Sequence, residues 1–339
     1  MTTTAIVILN FNGEKHLSNF LPSVLKHSNP ENEIWVIDNC STDNSIDYLK
    51  QKFPSVKIIQ NTKNGGFAKG YNDGLKKIKS DFYILINSDI EATPNWDNPL
   101  IELLKNNSNI AACQPKIKSY KNRSKFEHAG AAGGFIDKYA YAFCRGRIFA
   151  DVEEDLGQYD DTIEIFWATG AAMAIKASLF HKLGGFDEDF FAHMEEIDLC
   201  WRLKNNGYSI FYTSKSTVYH LGGGTLDYQS PKKVFLNFRN NLFMILKNVP
   251  SNRVYKLLML RLLLDGLAGI KFFSNSGFAH LKAIINAHFS FYKLFFKMKN
   301  KRYNIESKNH KNGTYHGALF IDYFAKGRKK FGDLPQKLF

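Results

Sequence analysis

The chain is short of cysteine, of unbroken apolar sequence and, over its last third, of acid. Its 339 residues hold four cysteines, Cys40, Cys113, Cys144 and Cys200. They show no C-x-x-C spacing and no nearby histidine partners, which argues against a disulfide framework or a zinc site and fits a reducing cytoplasm. The most apolar C-terminal stretch, Leu257 to Phe273, is broken by Arg261 and Asp265, which argues against a membrane span. At the N-terminus, Ala5 to Leu9 lacks a basic flank and is too short for a signal peptide. Residues 230–339 carry 21 Lys+Arg against 4 Asp+Glu, whereas residues 1–229 carry 24 against 28. The formal charge of +13 therefore belongs to the C-terminal third. A basic, aromatic-rich region of this kind points to an anionic surface, either phospholipid headgroups or nucleic acid.

What is present is an alternation. Four apolar runs, Ala5–Asn10, Ile34–Asp38, Val56–Gln60 and Phe82–Asn87, are each followed by a helical pattern. This predicts a βαβα order and a mostly parallel sheet, with strands rich in Ile and Val because both faces are covered. Three runs end in a polar residue, Asn10, Asp38 and Asn87, and open α/β sheets bind ligands beyond their carboxyl edge. Strands are also expected at Ile110–Cys113, Phe166–Ile175, Tyr208–Tyr212 and Thr217–His220. Gly130–Phe149 reads as a hairpin or loop over the site. A helix is expected over Asp187–Asn206, stopped by Gly207, and long amphipathic helices over Val234–Lys247 and Val254–Phe273. The expected division is 1–229 as catalytic domain, with 1–107 as nucleotide-binding half and 108–229 as acceptor half, followed by a basic helical region over 230–339.

Several clusters carry chemistry. Asp38, before Asn39-Cys40-Ser41-Thr42-Asp43, can accept from the N–H of a nucleotide base or simply hold a turn at the next helix. Asn64-Gly65-Gly66, between a strand and a helix reaching Asn72, offers backbone N–H groups to phosphate or serves as turn punctuation. Asn87-Ser88-Asp89 places a carboxylate just past a buried strand, where it can hold Mg²⁺ or Mn²⁺ together with diphosphate oxygens. Glu195, Glu196 and Asp198 lie within about one helical turn. Asp198 and Arg202 form an i,i+4 pair, while Glu196 points away from Glu195 and is the better candidate to face a cleft and take a proton. His220 ends a strand before Gly222-Gly223-Gly224 and can be a metal ligand or a satisfied core histidine.

In order, VILNFNG, VIDNCSTDNS, NGGFAKGYNDG, LINSD, ATGAAMAI, LGGFDEDFFAHMEEIDLCWR, VYHLGGG and FRNN resemble family 2 glycosyltransferases of the GT-A fold, particularly bacterial rhamnosyltransferase-like members. The resemblance spans roughly residues 4–247. It implies a GT-A α/β fold, a nucleotide-diphospho-sugar donor and a Mg²⁺ or Mn²⁺ ion. Asp38 would meet the base, with Asn10, Asn64, Gly65, Gly66, Asn72, Asn87 and Ser88 around the nucleotide-sugar. Asp89, ending an Asn-Ser-Asp version of the family's DxD element, would bind metal with His220. Glu196 matches the catalytic base, more often aspartate, with Glu195 and Asp198 as alternates. Trp167 could stack on an acceptor sugar or lie in the core. The expected reaction is inverting transfer to a lipid-linked or saccharide acceptor in cell-surface polysaccharide assembly. The expected place is cytoplasmic, on the inner face of an anionic membrane, without nucleic acid. A metal-dependent nucleotidyltransferase and a nucleic-acid-binding protein using the basic tail are the rival readings.

Overall fold

A computed structural model describes residues 2–222, 230–302 and 312–339, so Gly223, Gly224 and Thr225 of the glycine run lie outside the described residues. The first half runs β1 (Thr4–Asn10), α1 (Glu14–His27), β2 (Glu33–Asp38), α2 (Ser45–Lys52), β3 (Lys57–Gln60), α3 (Gly66–Leu75), β4 (Phe82–Asn87), β5 (Ile90–Ala92), α4 (Asn98–Asn106) and β6 (Ile110–Ser119). Next come β7 (Gly134–Asp137), β8 (Ala142–Cys144), β9 (Arg147–Ile148), β10 (Asp151–Val152), β11 (Thr162–Ile165), β12 (Ala172–Lys176), α5 (Ala177–Lys182), α6 (Glu195–Asn205) and β13 (Ser209–His220). The C-terminal part holds α7 (Pro231–Asn248), α8 (Ser251–Ser276), α9 (Phe278–Asn300), β14 (Thr314–Tyr315) and α10 (Leu319–Phe324).

The main sheet has the order β11-β13-β6-β12-β4-β1-β2-β3, with β5 paired to β13. β1 to β4 are parallel, while β12 runs antiparallel between β4 and β6. Alternation along the strands explains the layering, because successive side chains of a strand face opposite sides. Ala5 and Val7 of β1 and Tyr83 and Leu85 of β4 join one core, while Ile6, Ile8, Phe82, Ile84 and Ile86 join the other. The second core is covered by α1, α2 and α4 through Leu17, Leu21, Leu49 and Leu100. The first is covered by α3, α5 and α6, and also by Leu242 to Leu246 of α7, Val254 and Leu258 of α8, and Phe291 and Met298 of α9. A five-stranded sheet, β10-β9-β8-β7-β14, stands beside the main one.

Four expectations need correction. The Tyr208–Tyr212 and Thr217–His220 segments are one strand, β13, carried past a register shift between Thr213 and Thr217. Phe166–Ala171 is not strand, and β12 begins only at Ala172. β6 runs on to Ser119, beyond the expected Cys113. The helix expected from Asp187 starts at Glu195, because Phe191, His193 and Met194 have φ of 65°, 71° and 72° and break any continuous right-handed turn.

Candidate active site

Strand register builds one corner of the site. β5 pairs with the end of β13, setting His220 opposite Ile90, and the Leu221 N–H donates to the Asp89 carbonyl at 3.1 Å. His220 Nε2 stands 3.2 Å from Asp89 Oδ1, and its Nδ1 stands 3.2 Å from Glu127 Oε2. Asn87 Nδ2 lies 3.3 Å from His220 Nε2. All three charged groups are buried. Burial alone would push the imidazole down, but the Asp89 and Glu127 carboxylates hold it up at about 10. In return, and against their own burial, His220 holds Glu127 at about 2 and keeps Asp89 below its ordinary value.

A carboxylate oxygen and an imidazole nitrogen facing one another, with a second carboxylate behind the ring, suit a divalent cation in place of the shared proton. Asp89 and His220 therefore fit the metal that the sequence implied. Among the described residues no group of three or more His, Cys, Asp or Glu could hold a metal. A cation here would take its remaining ligands from phosphate oxygens and water. Glu127 was missed from the sequence, because it lies in an aperiodic stretch where no motif marks it.

The edge expected to meet the nucleotide is built by the parallel pairs, which place Asn10 beside Asp38 and Leu9 beside Asn87. Asn10 Nδ2 donates to Asp38 Oδ1 at 2.9 Å and to Ser41 Oγ at 3.2 Å. The Ser41 N–H and hydroxyl both donate to the Asp38 carboxylate. The turn-holding alternative for Asp38 is thus realised, while α2 itself is served by Asp43, whose Oδ1 accepts the Ser45 N–H at 3.1 Å. Asn12 Oδ1 accepts the Thr42 N–H, and Asp43 Oδ2 accepts the Glu14 N–H, so the loops after β1 and β2 hold each other. Asn10 Oδ1 is buried without a partner. A Cβ on Gly13 would come within 2.3 Å of that oxygen and 3.7 Å of Ser88 Oγ, so glycine keeps the cradle between them open.

Two expectations for the donor site change here. The N–H of Gly66 donates to Asn64 Oδ1 at 2.9 Å, and those of Phe67 and Ala68 donate to the Phe191 carbonyl at 2.7 and 3.3 Å. The N–H groups of Gly66, Phe67 and Ala68 at the start of α3, on which the expected phosphate seat at Asn64-Gly65-Gly66 partly drew, thus have partners within the protein. Gly66 is required there for a different reason: it has φ of 82°, and a Cβ would lie 2.5 Å from the Phe191 oxygen. Asn72 does not reach toward a nucleotide either. Its amide exchanges two bonds with the Phe186 backbone, at 2.8 and 3.0 Å, and so ties α3 to the loop before α6.

Trp167 is likewise a core residue and not an open platform. It is buried, its Nε1 donates to the Phe135 carbonyl at 2.9 Å, and a Cβ on Gly134 would come within 2.2 Å of its ring. Trp167→Ala should therefore cost about 3–5 kcal/mol of stability, read from urea unfolding. A purely acceptor-stacking residue would lose activity with its unfolding midpoint unchanged.

The acidic cluster sits on the first turn of α6. Asp198 is fully buried and receives Arg202 Nε at 2.9 Å, Lys247 Nζ at 2.8 Å and Asn248 Nδ2 at 2.8 Å. Burial opposes its charge, but Lys247 and Arg202 hold its carboxyl below the ordinary value. With its oxygens so committed it serves as structure, which removes it as an alternate base. Glu195 and Glu196 each have an Oε2 buried without a partner. Burial pushes both up; the charge of Glu196 raises Glu195 further, while backbone N–H groups including that of Gly170 partly restrain Glu196. Glu196 thus meets the turn that precedes β12. The next residue along, Ala171, accepts the Asn87 N–H at 3.0 Å, which joins Glu196 to the Asn87-Ser88-Asp89 edge.

The strained approach to α6 is held from α7. Asn240 Nδ2 lies 2.9, 2.9 and 2.7 Å from the carbonyls of Phe190, Ala192 and His193. Arg239 Nη2 adds bonds of 3.1 Å to the carbonyls of Asp189 and Phe190. Left-handed backbone at bulky residues costs on the order of 1–3 kcal/mol each and persists only where surroundings enforce it. Asn240→Ala should lower kcat on the order of 10²-fold with donor KM little changed, since a small misplacement of a reacting group has that effect. Steady-state kinetics beside a thermal melt check this; a rise in KM at constant kcat would refute it.

Residues 5–184 match the family described as glycosyl transferase family 2. The chain belongs to that family. Among family 2 relatives, it is 22% identical over 231 residues to the N-acetylglucosaminyl-diphospho-decaprenol L-rhamnosyltransferase of Mycobacterium tuberculosis, covering 63% of this chain and 75% of that protein. An S. aureus TarS structure in complex with UDP-GlcNAc superposes with a TM-score of 0.58 at 17% identity, covering 89% of this chain and 84% of that one. GalNAc-T7 with UDP, GalNAc and Mn²⁺ gives 0.58 at 17% identity over 91% of this chain and 59% of that one. These likenesses show a GT-A fold, and family membership makes the chain a glycosyltransferase.

Proposed function

We propose that this glycosyltransferase is an inverting enzyme that moves a sugar from a nucleoside-diphosphate carrier to a hydroxyl of a lipid-linked or saccharide acceptor in bacterial cell-surface polysaccharide assembly. The observation that carries the reading is the continuity of one edge. Asp89 pairs with His220, and Asn87 two residues earlier is bonded to the turn that receives Glu196. The reading draws support from the Mycobacterium tuberculosis relative, whose name specifies a diphospho-decaprenol substrate. Residues 1–229 are assigned to catalysis, with 1–107 meeting the nucleotide, and 230–339 to placement of the enzyme, apart from α7, whose Asn240 and Lys247 hold the approach to α6 and Asp198.

Asp89 and His220 would hold Mg²⁺ or Mn²⁺, and GalNAc-T7 with Mn²⁺ supports a divalent ion. Such an ion offsets the charge that builds on the departing diphosphate. Asn10, Asp38, Asn87 and Ser88 line the nucleotide edge. Glu196 takes the proton of the acceptor hydroxyl as its oxygen attacks the anomeric carbon from the face opposite the diphosphate. The bond from that carbon to the phosphate oxygen breaks, its electron pair leaves with the nucleoside diphosphate, and configuration inverts. The base must be ionised to act, and Glu196 is pushed up by burial. The limb of kcat that rises with pH should therefore lie above the ordinary glutamate value of about 4.3, as a pH–rate profile will show.

Nucleotide release from a panel of UDP-, dTDP- and GDP-sugars with each metal, followed by NMR of the product's anomeric configuration, tests the proposal. Retained configuration would overturn the inverting mechanism, and release of pyrophosphate in place of nucleoside diphosphate would overturn sugar transfer. The same reading puts the enzyme in the cytoplasm, with the basic C-terminal region against the anionic inner face of the membrane. Among the described residues no helix is long and apolar enough to cross a membrane.

A further inference from the structure

Eleven of the sixteen large apolar side chains exposed on the described surface lie between Tyr255 and Phe296, on the hairpin of α8 and α9. On α8, Tyr255, Met259, Leu263, Leu267 and Ile270 follow one another at helical spacing along a single face. On α9, Phe278, Ile285, Phe289, Tyr292 and Phe296 do the same, and the ten residues are between 44% and 73% exposed. Between the helices lies a cavity of about 280 Å³ whose lining includes Gly266, Gly269, Ile285 and Phe289. Buried Asp265 also lines it, with Arg261 at 3.1 Å and His288 at 3.3 Å from its carboxylate oxygens. The acid of the hairpin is thus buried, and residues 251–300 hold no other Asp or Glu. Lys256, Lys271, Lys282 and Lys293 are all exposed.

We propose that this hairpin sinks its two apolar stripes into the hydrocarbon edge of an anionic bilayer, and that the cavity between them receives one lipid chain. The inference rests on the reading that the enzyme works at a lipid surface, and it names the element that makes the contact. Basic side chains beside an apolar face match phospholipid phosphates above acyl chains. A second copy of the chain is the poorer occupant, because lysines would meet lysines with no exposed acid on either hairpin to answer them. Helices that cannot span lie in the interface with the apolar face about 5–10 Å deep, which suits two stripes on one side of a hairpin. Gly266 lines the cavity beside open space, since a Cβ there would meet nothing within 4 Å, so a larger side chain can be placed at this position.

The test is flotation of the full chain with vesicles of phosphatidylcholine and phosphatidylglycerol, and with phosphatidylcholine alone. Wild type should float with the anionic vesicles, and part of the binding should survive 0.5 M salt, because the apolar contribution is unscreened. The exposed triple change Leu263→Glu, Leu267→Glu and Phe289→Glu should reduce binding at least tenfold while nucleotide release remains as in wild type. A Gly266→Trp variant should show fluorescence quenching by lipids brominated in the acyl chain beyond that of wild type. Equal flotation of wild type and the triple variant, or complete loss of wild-type binding in salt, would overturn insertion. Quenching no greater than wild type would overturn chain binding in the cavity. A stable dimer that ignores vesicles and dissociates in the triple variant would assign the face to a second copy and overturn the proposal. Because nucleotide release is read in the same samples, its absence in wild type would sink the catalytic reading alone.

Discussion

Asp89→Ala should bring sugar transfer to background while leaving the far-UV spectrum close to wild type; the melting temperature should fall, because the change leaves buried His220 with Glu127 as its remaining carboxylate partner. The carboxylate contributes one oxygen to a corner where it faces the imidazole of His220, and among the described residues no group of three or more His, Cys, Asp or Glu is there to replace it. Removing it leaves His220 to hold the cation, beside Glu127, which faces the other ring nitrogen. A loss of at least 10²- to 10³-fold in kcat is the scale seen when a group stabilising developing charge is removed. Titration calorimetry of the nucleoside diphosphate supplies the more specific reading. Metal should tighten nucleotide binding in wild type and fail to do so in the variant. Unchanged metal-dependent affinity would take Asp89 out of the ion's coordination.

Glu196→Gln should lower kcat by about two orders of magnitude or more, with donor affinity nearly intact. The amide preserves volume, but it cannot take a proton. The rising limb of the pH–rate profile should vanish with it. Glu195 offers the internal comparison, since both carboxylates have a buried oxygen without a partner and lie on the same helical turn. If Glu195→Gln proves the more damaging change while Glu196→Gln retains its turnover and its pH limb, the base is Glu195.

The parallel half of the fold was legible because β1 to β4 are short, apolar and interrupted by helices, so pattern and burial coincide. Asp89 and His220 were legible as residue types at strand ends, but their meeting depends on β5 pairing with β13, a long-range register that periodicity does not report. The partners of the N–H groups at the start of α3 were hidden for a related reason. A glycine pair before a helix signals free N–H groups only if nothing else fills them, and here the Phe191 carbonyl arrives from far along the chain. The start of α6 failed because three non-glycine residues adopt left-handed backbone, a conformation set by Asn240 and Arg239 and not by local preference. Trp167 was ambiguous as a residue type, and packing against Gly134 resolved it.

Asp187 and Asp189, just ahead of the strained loop, are gripped by Lys301 of the segment that follows α9, and by Lys247 and Lys297 of α7 and α9. Asp198 is gripped by Lys247 and Asn248 of α7. For anyone building chimeras, the useful seam is therefore not the change in charge near residue 230. A splice there separates the acidic helix from the cations that hold it, and should yield insoluble or idle protein whatever the donor sequence. The exchangeable unit is the distal part of the α8–α9 hairpin, around the Gly277 turn, where the helices stand clear of these ion pairs. Swapping that tip between relatives, with the packing of Phe272, Ala283 and Ile284 on Val234, Phe235 and Phe238 of α7 preserved, would change the surface on which the enzyme rests while leaving its reacting groups where they are.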